Sequence, residues 1–284
     1  MILVVGDVMN DIIVRPSGPL QPGTDCAAEI DQAGGGSGAN VACWLGRLGV
    51  PVRFAGRVGA DVAAQTAAFA RHGVEARLGH GDRPTGRVVA IVDCDGERSF
   101  YTDRGANLAL GPADLAPGLL DGVRLLHVSG HCLFEPGPRA AAGDLMSAAR
   151  ARGIAVSVDA GSSAFLRATG AKAFRRWTAA SAICIANVAE AAILAATDAD
   201  YGCRVVTAGA AGAAAWRGGE HRSVPGAKVA VRDSTGAGDA FAAGFLATWL
   251  NGADLASCLD MGVHCGGVAV GLAGARPTDD IKWQ

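Results

Sequence analysis

The chain has 284 residues, half of them apolar and 18% charged, and its formal net charge is −2 from 25 basic and 27 acidic residues. This length and apolar content suit one large α/β domain, or two smaller ones, with a sizeable core. A nearly neutral chain offers no basic field to nucleic acid or to an anionic membrane surface, so neither is expected as a partner.

The apolar start, MILVVGDVMNDIIV, lacks the basic leader and small-residue cleavage site of a signal peptide, and we predict that it forms a first strand. No uninterrupted apolar run reaches the length of a membrane span. The eight cysteines are scattered, without a Cys-x-x-Cys pair, which favours free thiols over disulfides or a zinc site. We therefore expect a soluble, cytoplasmic protein.

Short runs rich in Val and Ile alternate with alanine-rich stretches along most of the chain. The predicted strands are ILVVG (2–6), LLHVSG (125–130), IAVSVDA (154–160), AICIAN (182–187) and RVVTAG (204–209). The predicted helices include GANVACWLGRLG (38–49), PRAAAGDLMSAARARG (138–153) and VAEAAILAA (188–196). This alternation predicts a mostly parallel sheet with helices on both faces, which binds ligands outside the carboxyl ends of its strands.

One region departs from the alternation. GRVVAIVDCDGERSFYTDRG (86–105) contains two strand-like runs joined through Asp95-Gly96, a strong hairpin signal. Together with IIVRP (12–16) and CAAEID (26–31) it predicts a small antiparallel sheet beside the main one. We interpret this sheet as a lid, formed from about 12–32 and 84–107, within a single domain that spans 1–284.

The most informative segment is RDSTGAGDAFAAGF (232–245). We predict a strand at VAVRD (229–233) and a helix at AGDAFAAGFLATWL (237–250), with Ser234, Thr235 and Gly236 in the turn between them. The first N–H groups of such a helix have no internal partners, and glycines let them converge on an anion such as a phosphoryl group. Asp239, in the first turn, can accept the proton of an attacking hydroxyl. A glycine-rich turn with an ordinary capping aspartate is the alternative, but seven specific residues in a row disfavour it.

DSTGAGDAF (233–241) resembles the carboxyl-side signature of the ribokinase-like (PfkB) carbohydrate kinases, and GGGSGANVACWLGRLG (34–49) resembles their amino-side signature. Other pieces that resemble the family follow in order: GRVGADVAAQTAAFARHGV (56–74), TGRVVAIVDCDGERSF (85–100), IANVAE (185–190), VVTAGAAGA (205–213) and GARP (274–277). The resemblance implies a three-layer α/β/α fold with a mostly parallel central sheet and a small antiparallel β lid. It also implies transfer of the γ-phosphoryl group of ATP to a sugar hydroxyl, with ATP and Mg²⁺ as cofactors.

The resemblance assigns roles to individual residues. Asp239 corresponds to the general base, and the amides of Gly236, Ala237 and Gly238 correspond to the anion hole. The positions that match the family's contacts to sugar hydroxyls are Asp11, Gly35, Gly36 and Asn40. Taken alone, Asp11 fits the end of a strand and Asn40 fits the start of a helix equally well.

The nucleotide side is assigned in the same way. Asn187 and Glu190 match the residues that organise Mg²⁺ and the nucleotide phosphates through water, although Asn187 alone fits a helix cap equally well. The other positions that match the nucleotide side are Thr207, Gly209, Gly212 and His264. For His264, simple packing in a small-residue helix is the stronger alternative. Asp233 and Thr235 match part of the K⁺ site that many relatives have, so K⁺ is an optional cofactor.

The sequence also departs from the family pattern. Ala64 stands where a glycine is common, and Ser37 stands where some sugar kinases have a lysine. The segment 195–203 is shorter than expected, so the helix after Asn187 must provide almost all of a parallel crossover.

Other classes of function fit less well. No lysine lies in a Gly-Lys-Ser/Thr motif, which excludes a P-loop kinase. GGGSGA follows the polar EIDQA and not the first strand, which disfavours an NAD-dependent dehydrogenase. A catalytically idle sensor of sugar or nucleotide is the alternative from another class. It should have lost the base, the glycine run or the Asn-x-x-Glu motif, and all three are intact.

The acceptor is expected to be a neutral pentose or hexose. Arg104 and Asn107, in YTDRGAN (101–107), are candidate substrate contacts. An Arg104 that leans over the sugar would suit a keto-deoxy sugar acid, whereas a solvent-facing Arg104 would not. A nucleoside kinase is a further alternative on the same fold. Because an exposed lid edge favours pairing with a second subunit, we expect a homodimer.

Overall fold

The computed structural model describes residues 1–19, 21–92, 98–197, 199–278 and 281. Within these residues the chain forms thirteen strands and eight α-helices. The strands are β1 (Ile2–Val5), β2 (Met9–Pro16), β3 (Ala28–Gly35), β4 (Val52–Val58), β5 (Val74–His80), β6 (Gly86–Val92), β7 (Arg98–Asp103), β8 (Leu125–Val128), β9 (Ala155–Asp159), β10 (Ile183–Asn187), β11 (Cys203–Thr207), β12 (Ala213–Arg217) and β13 (Glu220–Val224). The helices are α1 (Ser37–Arg47), α2 (Val62–Arg71), α3 (Pro136–Ala151), α4 (Ser163–Thr169), α5 (Ala171–Trp177), α6 (Val188–Leu194), α7 (Ala237–Leu250) and α8 (Leu255–Val270).

The larger sheet has nine strands in the described part of the chain, in the order β13-β12-β11-β10-β9-β8-β1-β4-β5. The pairings from β5 through β11 are parallel, and β12 and β13 continue the sheet as an antiparallel edge. The mostly parallel central sheet predicted from the sequence is therefore confirmed. The carboxyl ends of β1, β9, β10 and β11 lie at the same edge, where a ligand is expected.

Helices cover both faces of this sheet. Along β1, Ile2 and Val4 pack into one core with α1, α2, α7 and α8, whereas Leu3 and Val5 pack into a second core with α3 to α6. Because successive side chains of a strand point to opposite faces, an all-apolar strand such as ILVV contributes to both cores at once. The three-layer α/β/α architecture is confirmed.

The second sheet has the order β3-β2-β6-β7. It consists of two antiparallel pairs, β2–β3 and β6–β7, joined by a parallel pairing of β2 with β6. These strands largely coincide with the segments 12–32 and 84–107 that predicted the lid. The Asp95-Gly96 turn lies outside the described residues.

The predicted helices and parallel strands all form, but the strand predicted at VAVRD (229–233) is wrong. No neighbouring strand pairs with this segment in the described residues, and Val229 and Val231 are exposed. The amides of Arg232 and Asp233 instead donate to the carbonyl of Val270 at the end of α8. The alternation of apolar residues therefore indicated an extended segment correctly, but its hydrogen bonds go to a helix terminus.

Two smaller predictions also have clear outcomes. β10 and β11 pair in parallel, and residues 188–202 connect them. The helix α6 lies in this connection and therefore provides the crossover. The seven cysteines within the described ranges are free thiols, and Cys94 lies outside them. None of the helices in those ranges combines the length and apolarity needed to cross a membrane.

Candidate active site

The loop before α7 adopts a backbone that only glycine tolerates well. Gly236 has φ 74°, and a Cβ at this residue would lie 2.6 Å from the carbonyl oxygen of Ala275. Asp233 is buried and fixes the loop, because its carboxylate accepts hydrogen bonds from the amides of Thr235 (2.7 Å) and Gly274 (3.0 Å). The amides of Gly236, Ala237 and Gly238 consequently lie at the amino end of a 14-residue helix, where anions are favoured.

Asp239 lies in the first turn of α7 and is held by two side chains from the start of α1. Ser37 Oγ donates to Asp239 Oδ1 at 2.8 Å, and Asn40 Nδ2 donates to Asp239 Oδ2 at 2.8 Å. Burial raises the pKa of Asp239 to about 7, although both hydrogen bonds oppose the shift. The carboxylate is therefore fixed in orientation and able to take up a proton near neutral pH.

The predicted acceptor-side residues lie around the start of α1. A Cβ at Gly35 would collide with the Asp11 carboxylate, and one at Gly36, where φ is 94°, would collide with the carbonyl of Asp7. Burial raises the pKa of Asp11 to about 6, while the positive charge of Arg276 opposes the shift. The glycines thus permit a carboxylate and two backbone segments to approach each other closely beside Asn40.

A cavity of about 180 Å³ joins Asp239 to the ends of β9, β10 and β11. Asp159, Asn187, Glu190 and Thr207 line it together with Asp239. Asn187 and Glu190 form a reciprocal capping box at the start of α6, with both hydrogen bonds at 2.9 Å. The alternative of a helix cap for Asn187 is therefore correct, and the cap also places both residues on the cavity wall.

The oxygen atoms of this cavity suit Mg²⁺, which prefers hard oxygen ligands and keeps several waters. Asp159 Oδ2 is buried and accepts no hydrogen bond, although His127 Nε2 lies 3.4 Å away. Although burial acts in the opposite direction, the neighbouring His127 lowers the pKa of the Asp159 carboxyl. Burial raises the pKa of Glu190. No group of three or more His, Cys, Asp or Glu side chains in the described ranges is arranged to hold a metal ion by itself.

The remaining predicted residues do not line this cavity. Gly209 and Gly212 flank the turn between β11 and β12, both at positive φ, and a Cβ at Gly212 would collide with the Val224 carbonyl. His264 is exposed on α8.

The two lid residues proposed as substrate contacts have different surroundings. Asn107 is buried, and its side chain exchanges hydrogen bonds of 2.9 Å with both the amide and the carbonyl of Val8. These contacts give Asn107 a structural role. Arg104 is half-buried, and its Nη2 donates to the carbonyl of His131 at 3.1 Å.

Three residues that lie at the site were not singled out for it from the sequence. Ser37 stands where some sugar kinases have a lysine, yet its hydroxyl donates to the Asp239 carboxylate. Asp159 ends β9, a position that the rule for parallel sheets could have found. Arg276 donates to the carbonyl of Gly35 at 2.9 Å and lies 3.4 Å from Asn40 Oδ1, a contact across more than 230 residues that no local pattern reveals.

Comparison with known proteins agrees with this geometry. Residues 1–282 match the model of the "pfkB family carbohydrate kinase". The chain is 32% identical to an ATP-dependent ribose-1-phosphate kinase from Halopiger xanaduensis, over 98% of this chain and 95% of that protein. It is 31% identical to a fructokinase from Klebsiella pneumoniae, over 99% and 98% of the two chains.

Solved structures give the same result. The adenosine kinase of Sinorhizobium meliloti superposes with a TM-score of 0.87 at 26% identity, over 97% of this chain and 95% of that one. A probable sugar kinase from Rhizobium etli superposes with a TM-score of 0.86, also at 26% identity, over 97% and 94%. The chain therefore belongs to the pfkB family and is a carbohydrate kinase of the ribokinase-like fold.

Proposed function

We propose that this chain transfers the γ-phosphoryl group of ATP to a hydroxyl of a small carbohydrate, a pentose or a hexose, with Asp239 as the general base. The observation that carries the proposal is the Asp239 carboxylate, held by Ser37 and Asn40 at the amino end of α7, with its pKa raised to about 7. A base whose pKa lies near neutral pH can accept the hydroxyl proton as the oxygen attacks phosphorus.

The residues around Asp239 are proposed to bind the acceptor and to stabilise the transferred phosphoryl group. Asp11, the Gly35 and Gly36 backbone and Asn40 bind and orient the sugar hydroxyls. The amides of Gly236, Ala237 and Gly238 stabilise negative charge on the transferred phosphoryl group, as fixed donors do in phosphoryl-transfer sites. The proton passes from the acceptor hydroxyl to an Asp239 oxygen, and ADP leaves with the electron pair of the broken P–O bond.

The cation sites follow from the oxygen atoms described above. Asp159, Asn187 and Glu190 would hold Mg²⁺, largely through water, and the ion would neutralise charge on the nucleotide phosphates. Thr207, Gly209, Gly212 and His264 form the proposed nucleotide side. K⁺ near Asp233 and Thr235 remains an optional part of the proposal, since both Asp233 oxygens already accept amide hydrogen bonds.

The lid is proposed to close over the acceptor and exclude water, which limits hydrolysis of ATP. Its edge strands expose large apolar side chains: Ile30 on β3 is 63% exposed, and Phe100 and Tyr101 on β7 are 59% and 69% exposed. Pairing through these surfaces in a homodimer would cover them. Sedimentation at micromolar protein should give twice the monomer mass, and a monomer alone would contradict the dimer.

An anionic acceptor is the second candidate, and Arg104 favours it. Its guanidinium donates to the carbonyl of His131, and the amide of the preceding residue, Gly130, donates to Asp159 at 3.0 Å, so Arg104 lies near the proposed site of phosphoryl transfer. Guanidinium groups bind carboxylates and phosphates in bidentate fashion. A keto-deoxy sugar acid would suit Arg104, and so would a sugar phosphate such as the substrate named for the Halopiger relative.

The test is ADP release from Mg-ATP across pentoses, hexoses, ribose 1-phosphate, keto-deoxy sugar acids and nucleosides, with and without K⁺. Turnover of a neutral sugar supports the main proposal. A preference for an anionic acceptor that is lost in Arg104→Gln supports the second candidate, and turnover of nucleosides alone contradicts both. Binding of Mg-ATP with no turnover on any acceptor favours the idle sensor.

The pH dependence follows from the raised pKa of Asp239. Because the base must be deprotonated, kcat/KM is expected to fall about tenfold per pH unit below pH 7 and to level off above it. If the pKa of the general base were that of an ordinary aspartate, the enzyme would keep full activity down to about pH 4–5. Initial rates from pH 5 to 9 at subsaturating acceptor measure this, and a flat profile between pH 5 and 7 would contradict the assignment.

A further inference from the structure

A second and larger cavity, of about 690 Å³, lies between the lid sheet and α2. We call it the lid groove. The polar residues used below are Asn10 and Arg87 from the lid, Asp61, Gln65 and Arg71 at and along α2, and Arg276. Its size is in the range of pockets that bind small organic ligands.

The lid groove is separate from the acceptor side of the lid. Successive side chains of a strand point to opposite faces, so Asn10 and Ile12 of β2 lie on the face opposite to Asp11. The glycines of β3 divide in the same way: a Cβ at Gly34 would collide with the Arg276 guanidinium, whereas one at Gly35 would collide with Asp11. Arg276 therefore lies on the groove side, directly behind the acceptor site.

Positive charge dominates the lining. Arg71 and Arg87 are exposed, their guanidinium groups have no hydrogen-bond or ion-pair partner within the described residues, and Arg276 adds a third guanidinium. Among the described residues that line the groove, the one carboxylate is Asp61, which keeps its negative charge while it accepts from Thr85, from Gln65 at 3.0 Å and from Asn10 at 3.4 Å, so three guanidiniums face one carboxylate. Arg276 already faces the Asp11 carboxylate, whereas Arg71 and Arg87 present their positive charges to the groove, where an anion is favoured.

We propose that the lid groove is a binding site for a small phosphate-bearing anion. Guanidinium groups present planar pairs of N–H donors that match phosphate oxygens, and the arrangement of Arg71, Arg87 and Arg276 supplies three such groups. The cavity is larger than one phosphate needs, so the ligand class is a phosphate ester or a diphosphate of sugar size.

Arg276 connects the lid groove to the acceptor site. Its Nη2 donates to the Gly35 carbonyl, its Nε lies 3.4 Å from Asn40 Oδ1, and Asn40 in turn donates to Asp239. An anion that draws the guanidinium into the groove competes with these contacts and changes how firmly Asn40 holds the carboxylate. This coupling rests on the proposed role of Asp239, whereas the binding site does not.

The binding test uses inorganic pyrophosphate in Mg²⁺-free buffer at 0.15 M salt, titrated into the wild-type protein and two variants by calorimetry. The double variant Arg71→Gln/Arg87→Gln should lose at least about tenfold in affinity for one site, because each guanidinium contributes charge-assisted hydrogen bonds. Arg176→Gln removes one exposed arginine from α5, outside the groove, and is the control for loss of surface charge. Since none of these positions belongs to the proposed active site, pyrophosphate bound there contributes equally to all three isotherms. Three identical isotherms would overturn the proposal.

The coupling is tested by initial rates with a fixed acceptor and Mg-ATP as inorganic phosphate is added. The acceptor KM should shift in the wild type and in Arg176→Gln but not in the double variant, whose rate without phosphate should match the wild type. If the double variant loses pyrophosphate binding but added phosphate changes the rates of all three proteins equally, the coupling is overturned. The proposed binding site is then still supported. If no acceptor is turned over, the calorimetry still decides whether the site exists.

Discussion

Replacing Asp239 by asparagine is expected to lower kcat by about 10²–10⁴, the usual contribution of a positioned general base. Asparagine keeps the size of the side chain and can still accept from Ser37, but it cannot take the proton of the acceptor hydroxyl. The fall in rate below pH 7 should disappear with it, because that fall reports the protonation of this carboxylate. Steady-state rates of both proteins at pH 6, 7 and 8 measure both effects.

The variant should remain folded, which separates a chemical effect from unfolding. Burial disfavours the ionised form of the Asp239 carboxylate in the folded protein. Replacing it by a neutral amide therefore removes an unfavourable charge and not a stabilising one. Ser37→Ala is the matched control, since it deletes one hydrogen bond to the same carboxylate and leaves that carboxylate in place. Its kcat should fall far less than that of Asp239→Asn. Equal losses in the two variants, or near-normal turnover by Asp239→Asn, would contradict the role of Asp239.

The part of this site that could be predicted from the sequence is the part encoded within short segments. The glycine run and Asp239 lie within seven residues, so the turn, the helix start and the acid in its first turn follow from local geometry. Asn187 and Glu190 form a capping box, which is likewise local. The order of strands and helices followed from apolar periodicity, since both faces of β1 and β8 to β10 are buried.

The contacts that could not be predicted join distant segments. Ser37 and Asn40 reach Asp239 across about 200 residues, and Arg276 reaches back to Gly35 across more than 230. Such contacts depend on how α1 and α7 pack against each other, which periodicity does not determine. The strand prediction for VAVRD was wrong for the same reason. Its extended backbone was predictable, but its hydrogen-bond partner is the end of α8 and not a strand.

Trp44 links these distant segments, and replacing it by alanine is expected to lower the free energy of unfolding by about 3–5 kcal/mol. Its side chain is fully buried in α1, one turn after Asn40, and packs in the core that α1 shares with α7 and α8. Its indole N–H donates to the carbonyl of Ala275 at 3.0 Å, the residue whose backbone also crowds Gly236. Truncation therefore leaves both a large cavity and an unpaired carbonyl beside the glycine-containing loop that precedes α7.

Trp44→Phe helps to distinguish these two contributions, because it removes the donor but keeps a six-membered apolar ring and so leaves a smaller cavity than alanine does. Its expected cost is about 1–3 kcal/mol, the penalty for leaving a buried acceptor unpaired, and the difference between the two variants measures the cavity. Urea denaturation followed by circular dichroism gives both values from the shift in midpoint at constant slope. If the alanine variant were no less stable than the phenylalanine variant, ring packing would contribute nothing, and the tie between α1 and the loop would rest on the indole hydrogen bond alone. A larger loss in the alanine variant would instead measure how much the packing of this ring stabilises α1, the helix that carries Ser37 and Asn40 at its start.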